Sequence, residues 1–241
     1  MEEKIAVVTG GSSGMGLAIA KKLQESGIEV YVLDRQQAPE GFGFFKVDIR
    51  NDEEIQSALS QIPIIEVKAG ENHTVLLRST GEVYVSGTNT NEELDKMVDI
   101  NIKGTYMVTR NAIEKIKQSK GNIVTIASCL GVVPELTSPL YCTTKAGLIM
   151  FTKCLAQQYA DCGVRVNCVL PGPIDTPLLQ NSFLDESMAE RCANRIPMKR
   201  IGSPEDVANM VSFLVSDDAT FITGGAFPVD GGVSSSSLYS K

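Results

Sequence analysis

The 241-residue sequence has no tryptophan, a single histidine (His73) and few aromatic residues, 6% in all. One imidazole without a cluster of other ligands argues against a metal centre. It also leaves a Ser-His-Asp hydrolase built on Ser128 dependent on His73 alone, a weak reading. Cations are outnumbered: Lys and Arg total 22 against 29 Asp and Glu, for a net charge of −7. A nucleic-acid surface needs clustered Lys and Arg, so no nucleic-acid partner is expected. No apolar run reaches the roughly 18 residues of a membrane span. Met1-Glu2-Glu3-Lys4 leads directly into an apolar strand, without the basic and long apolar stretches of a secretory leader. These absences predict a cytoplasmic protein with no membrane partner. No C-x-x-C pair occurs among Cys129, Cys142, Cys154, Cys162, Cys168 and Cys192. That spacing suggests neither zinc nor a disulfide framework, and predicts reduced, mostly buried thiols.

What is present is a strand-helix alternation. Hydrophobic residues make up 43% of the chain, enough for a sizeable core. Strands are expected at Ile5–Thr9, Val30–Leu33, Phe44–Val47, Asn122–Ala127, Val164–Val169 and Ala226–Val229. Helices are expected over 17–27, from Asn51 to Leu59 with Asn51 or Asp52 as cap, over Leu94–Ile116 with a break at Gly104, over Ala146–Ala160, and over Pro204–Val215 capped by Ser203. Such alternation implies an α/β fold: a single Rossmann-type doubly wound parallel sheet with helices on both faces, as one domain over 1–241. The serine-rich tail Ser234–Ser237 reads as loose or as an interface arm.

Two features suit a dinucleotide. Gly10-Gly11-Ser12-Ser13-Gly14-Met15-Gly16 follows a strand and opens a helix. There the backbone can approach a pyrophosphate, and the helix N-terminus favours negative charge. Asp34 ends the second strand, placed to accept the adenosine ribose hydroxyls and to repel a 2′-phosphate. This favours NAD over NADP, although the adjacent Arg35 could pair with a phosphate. Asp48 ends the third strand, where the adenine edge would lie.

Ser128, Tyr141 and Lys145, with Asn101 upstream, form the chemical constellation. Tyr141 and Lys145, at i and i+4, share one face of a helix. A phenol is a poor base at neutral pH, and a nearby cation favours its phenolate. Ser128 follows a strand and can offer its hydroxyl to a carbonyl or alcohol oxygen.

In order along the chain, these residues resemble the motifs of the short-chain dehydrogenase/reductase family. The phosphate turn is Thr9–Gly16, and the acidic strand end is Val47-Asp48. The central-helix Asn is Asn101, the Ser is Ser128, and the Tyr-x-x-x-Lys pair is Tyr141 and Lys145. Pro171-Gly172 supplies the Pro-Gly motif. Gly202–Ala208, Ile222–Gly225 and Val229–Gly232 form the C-terminal signature. The resemblance covers about 5–60 and 94–232.

It implies roles. Tyr141 would be the general acid/base, Lys145 its modulator and a ribose ligand, and Ser128 the donor that orients the substrate oxygen. Asn101 would hold a water that relays protons toward Lys145. Gly10, Ser12, Ser13, Gly14, Met15, Gly16, Asp34, Asp48 and Ile49 would line the cofactor. Ile174 and Thr176 would hold the nicotinamide carboxamide. The implied reaction is hydride transfer between NAD (NADP less favoured) and a small-molecule secondary alcohol or ketone, in a homo-oligomer of two or four chains.

Segment 62–93 departs from the family, whose fourth strand usually ends in Asn-Asn-Ala-Gly. Either Val67-Lys68-Ala69-Gly70 stands in, or Thr74–Leu77 is the strand and Arg78-Ser79-Thr80-Gly81 replaces the motif. The second register is preferred, because it puts the apolar run in the sheet. Residues 69–89 also resemble one repeat of the propellers typified by the regulator of chromosome condensation, read here as a local β-hairpin. The departure keeps an alternative open, a cofactor-binding protein with weak or no catalysis. An epimerase or dehydratase on the same fold is a third reading. A substrate lid is expected over 176–200, with Leu178, Leu179, Phe183, Leu184 and Met188 available either to cover an apolar substrate or simply to pack down as an amphipathic helix. Arg195–Gly202 resembles the 3-oxoacyl-carrier-protein reductase branch, and equally sugar-alcohol and steroid dehydrogenases.

Overall fold

Short β-branched runs whose residues are buried on both faces make a parallel sheet covered by helices. In β1 (Ile5–Thr9) Ile5 and Val7 enter one apolar layer, Ala6 and Val8 the other. The structure, a computed structural model, describes residues 4–62, 73–78, 91–180 and 186–235. After β1 come β2 (Glu29–Asp34), β3 (Gly43–Lys46), β4 (His73–Arg78), β5 (Asn122–Ile126), β6 (Arg165–Pro171) and β7 (Ala226–Val229). They form one seven-stranded sheet in the order β3-β2-β1-β4-β5-β6-β7, and every neighbouring pair is parallel. The α/β Rossmann-type expectation is correct.

The strand at 74–77 is the second of the two registers read from the sequence. β4 pairs Thr74 with Ala6 on one side and with Asn122 on the other. A parallel strand in mid-sheet is not an arm of a local hairpin, so the hairpin reading of 69–89 is wrong for His73–Arg78. The remainder of that stretch lies outside the described residues. His73 starts β4 opposite Ile5, whereas Ser128 lies beyond the far end of β5, where Arg78 pairs with Ile126. Five strand residues span about 17 Å, so the strand ends separate these two positions and the hydrolase reading falls.

Two helices, α1 (Gly14–Glu25) and α8 (Pro204–Val215), cover one face of the sheet through Ile19, Leu23, Val207, Val211 and Leu214. On the other lie α2 (Asp52–Gln61), α4 (Thr105–Gln118) and α5 (Pro139–Tyr159), packed through Ile55, Leu59, Val108, Ile116 and Leu155. Asn51 caps α2, accepting from the Glu53 and Glu54 amides. α8 opens with a capping box: Ser203 accepts from the Asp206 amide, and the Asp206 carboxylate accepts from the Ser203 amide.

Arg200 also grips Asp206 through both guanidinium nitrogens and holds its carboxyl at about 2. A depressed carboxyl stabilises the fold above its unfolded value near 4, and the contribution is lost as pH falls through the folded value. Solvent screening and the partial exposure of both groups limit the effect to about 1 kcal/mol. Asp206→Asn therefore lowers the melting temperature by about 2–4 °C at pH 7. The gap to the parent narrows as melts are repeated from pH 5 toward pH 3. A gap independent of pH would place the loss elsewhere.

Two boundaries differ from expectation. α5 begins at Pro139 rather than Ala146, because Ser138-Pro139 is itself a start signal and proline suits the first helical position. The helix expected over 94–116 is α3 (Asn91–Val98), a π-helical turn (Asp99–Gly104) and then α4. The expected lid region contains α6 (Pro177–Gln180) and α7 (Glu186–Arg195). Phe183, Leu184 and the Leu178 side chain lie outside what is described, as does the tail beyond Ser235. All six cysteines are free. Cys129 and Cys168 are buried, Cys154 is exposed and the other three are intermediate, so fewer are buried than expected.

Candidate active site

The sheet order reverses between β1 and β4, and in such sheets ligands bind outside the carboxyl ends of the strands at that point. The glycine turn is there. Gly10 and Gly14 adopt positive φ, and α1 starts directly after Ser13 with no acidic residue in its first turn. No acidic residue within that first turn therefore competes for its amides and dipole. Asp34 closes the turn from β2. One carboxylate oxygen accepts from the Ser12 amide at 3.0 Å and the other from the Gln36 amide at 3.2 Å. Ser12 Oγ donates to the Gln36 carbonyl at 2.7 Å. Arg35 points mostly to solvent, with Nε 3.9 Å from Asp48. Asp48 is clamped by Arg50, which holds its carboxyl below the usual range.

Ser128, Tyr141, Lys145 and Asn101 are brought together at the ends of β5 and α5. Lys145 is only 3% exposed, its ammonium donating to the Ile126 carbonyl at 3.4 Å and lying 5.4 Å from the Tyr141 ring centroid. Ser128 caps a 3-10 turn, Cys129–Gly131, and its Oγ accepts from the Leu130 amide. A methyl on Gly131 would lie 3.0 Å from the Lys145 carbonyl carbon and 3.1 Å from the Ala146 amide nitrogen. Glycine at 131 thus lets the serine turn sit directly on the α5 backbone. Asn101, fully buried in the π-helical turn, donates through Nδ2 to Thr144 Oγ1 at 3.0 Å, and Thr144 Oγ1 donates in turn to the Tyr141 carbonyl. Its Oδ1 has no hydrogen-bond partner among the described residues. A single-turn π-helix widens the helix where functional groups often sit. Sequence reading missed Thr144, whose only signal is its position on the helix between Tyr141 and Lys145, and Gly131, signalled by its place three residues after Ser128. Burial pushes the neighbouring Cys129 thiol up to about 11, which keeps it neutral.

Ile174 and Thr176 follow β6 on a loop fixed at several points. Ile174 bridges to Gly202, the Asp175 amide donates to the Gly202 carbonyl at 2.7 Å, and Gly172 donates to the Val229 carbonyl. Both side chains are buried, and Thr176 Oγ1 accepts from the Leu179 amide. Behind the loop lies a cavity of about 640 Å³, lined in part by Ile174, Met198, Arg200, Met210 and Phe213. Ser128, Tyr141 and Lys145 do not line it. No group of three or more metal-ligating side chains occurs among the described residues.

Comparison with known proteins places the whole chain in a family. The family model described as enoyl-(acyl carrier protein) reductase matches residues 10–234. The 2,5-dichloro-2,5-cyclohexadiene-1,4-diol dehydrogenase of Sphingobium indicum is 32% identical over 95% of each chain. The 3-oxoacyl-[acyl-carrier-protein] reductase of Rickettsia felis is 33% identical over 95% of this chain and 96% of its own. The structure of the 3-ketoacyl-(acyl-carrier-protein) reductase from Brucella melitensis complexed with NADH superposes with a TM-score of 0.84 at 28% identity. It covers 97% of this chain and 99% of its own. The chain belongs to the short-chain dehydrogenase/reductase family and is an NAD(P)-dependent oxidoreductase of that family. These matches lend no support to the propeller-repeat resemblance of 69–89.

Proposed function

We propose that this enzyme transfers hydride between NAD and a small-molecule secondary alcohol or ketone, with Tyr141 as general acid/base. The observation that carries the reading is the buried Lys145 ammonium beside the Tyr141 ring, with Ser128 seated on the same helix by Gly131. Tyr141 passes a proton to or from the substrate oxygen, Ser128 orients that oxygen, and Lys145 favours the phenolate and reaches the nicotinamide ribose. Asn101 anchors a relay water toward Lys145, a role supported by its unpartnered buried Oδ1. When bound, the nicotinamide supplies the hydride chemistry. Gly10, Ser12, Ser13, Gly14, Met15 and Gly16 hold its pyrophosphate, Asp34 the adenosine ribose, Asp48 and Ile49 the adenine side, and Ile174 and Thr176 the carboxamide. The residues present fit such a cofactor: the turn offers backbone amides, and Asp34 puts negative charge where a 2′-phosphate would lie.

The 176–200 region serves as the substrate lid. The chain works as a single-domain cytoplasmic homo-oligomer of two or four copies. Exposed apolar side chains support assembly: Tyr106 on α4, Met150 on α5, Phe213 on α8, and Met198 and Phe221. Among the described residues no helix is long and apolar enough to cross a membrane.

Titration with NADH and NADPH, read by nicotinamide fluorescence, tests the cofactor assignment. NADH binds at least about tenfold more tightly, the equivalent of 1.4 kcal/mol. Equal affinities would remove the role given to Asp34, and no binding of either at millimolar concentration would remove the whole reading.

A further inference from the structure

The adenosine and catalytic ends of the site are joined by a contact that the proposed chemistry does not itself require. Gly104 closes the π-helical turn that carries Asn101, and it is buried. A methyl placed there would lie 2.9 Å from Ile49 Cδ1, 3.0 Å from Ile49 Cγ1 and 3.2 Å from the Ile49 carbonyl oxygen. Those atoms belong to the β3–α2 connection, Asp48 to Asn51, which the proposed cofactor reading assigns to the adenine side. The backbone of Gly104, φ −58° and ψ −46°, is ordinary helix, so alanine would suit it better than glycine on local grounds. The close approach of Ile49 is therefore the physical reason for a glycine here.

The start of α2, directly after this connection, is fastened to α4. Asp52 accepts from Arg110 and, at 2.7 Å, from Asn111. Arg50 clamps Asp48 and lies within electrostatic reach of Asp99, which opens the π-helical turn.

We infer that Gly104 is a positioning residue, through which the adenosine-side connection and the Asn101 turn are held against each other, so that filling the adenosine pocket steadies the turn that carries the proton relay. This rests on the cofactor reading above. The arrangement makes the two ends one mechanical unit. A ligand that orders Asp48 to Arg50 also orders Asp99 to Gly104, because Ile49 sits between them. Asn101 follows the turn, and through Thr144 its amide bears on the segment of α5 between Tyr141 and Lys145.

The test uses AMP, which carries adenosine and one phosphate and has no nicotinamide to touch Asn101. In the parent protein, saturating AMP slows amide hydrogen exchange across 99–105 by about threefold or more, in addition to the protection expected at 10–16 and 34–50. Gly104→Ala weakens NADH binding about five- to tenfold and lowers kcat, with little change in melting temperature. In an Ile49→Ala background, which vacates the space for the methyl, the same substitution changes NADH affinity less than about twofold. That non-additivity is what direct contact predicts.

Protection by AMP that stops at the cofactor loops would overturn the inference, as would equal losses from Gly104→Ala in both backgrounds. If Gly104→Ala does not fold, the exchange measurement on the parent decides alone. Failure of the parent to bind either NADH or AMP would defeat the cofactor reading itself. Binding without coupling would defeat only this inference.

Discussion

Tyr141→Phe lowers kcat by about 10²–10⁴-fold with any ketone the parent reduces, while NADH binds within about twofold of the parent. The substitution removes one oxygen from a side chain whose ring lies 5.4 Å from the Lys145 ammonium. The ring, its packing and the helix are retained, so neither fold nor cofactor pocket has reason to change. Under the proposed mechanism, what is lost is the group that takes or gives the proton as hydride moves, and no other phenol stands on this face of α5 near Lys145 and Ser128. Steady-state kinetics together with a fluorescence titration separate the outcomes. A fall of less than about tenfold would show that another group handles the proton. A matching loss of NADH affinity would show that the hydroxyl serves binding rather than chemistry.

Gly172→Ala has the largest expected effect on stability. A methyl there would lie 2.7 Å from Asp230 Cα, 2.8 Å from its Cβ and 3.1 Å from its carbonyl oxygen, so backbone rather than a flexible side-chain tip must yield. Both partners are pinned. The Gly172 amide donates to the Val229 carbonyl, while the Asp230 carboxylate accepts from the Gly232 amide at 2.9 Å and the Ser234 amide at 2.7 Å. Burial works against the ionised Asp230, yet the Ser234 hydroxyl together with these amides outweighs it and holds its carboxyl below the usual value. Overpacking of this kind costs about 2–3 kcal/mol, or roughly 5–10 °C in melting temperature for a chain of this size. Ile174 and Thr176 ride on the displaced loop, so NADH affinity falls with stability. A variant that melts with the parent would show that the β6 and β7 ends separate freely.

Elements whose ends carry their own chemistry were legible in the sequence. Ser203-Pro204 and the acidic residues after it mark the start of α8, and β7 falls at Ala226–Val229 as read, since Gly231-Gly232 lies just beyond. The site residues separated by long stretches of chain were legible as types, because a phenol and an amine four apart on a helix have one shared face. What was not legible depends on tertiary contact. A π-helical turn has no compositional mark, and Asp99–Gly104 reads as ordinary helix with a weak glycine. Neither Gly131 nor Gly172 announces which backbone lies against it. α5 begins seven residues before its expected start because its apolar periodicity begins only after Tyr141-Cys142-Thr143-Thr144, a run without a core-facing apolar stripe, in which Thr144 bonds Asn101. In 69–89 a local pattern suggested a hairpin, but pairing with β1 and β5 decided the outcome for His73–Arg78, as it does for any short apolar run that can choose its neighbours.

The strand order has a consequence for how the chain can be divided. β1, β2 and β3 lie together on one side of the sheet and β4 to β7 on the other, so the sequence is two half-sheets in series. They meet at one seam, the β1–β4 ladder, backed by the packing of α1 on α8 and of α2 on α4. A single cut between Gln61 and His73 severs no strand and no ladder among the described residues. Each fragment would keep a contiguous half-sheet with helices of its own, and the two could rejoin along the seam without rethreading. The proposed dinucleotide site lies over that same seam, so a bound cofactor would act as a clasp across the join.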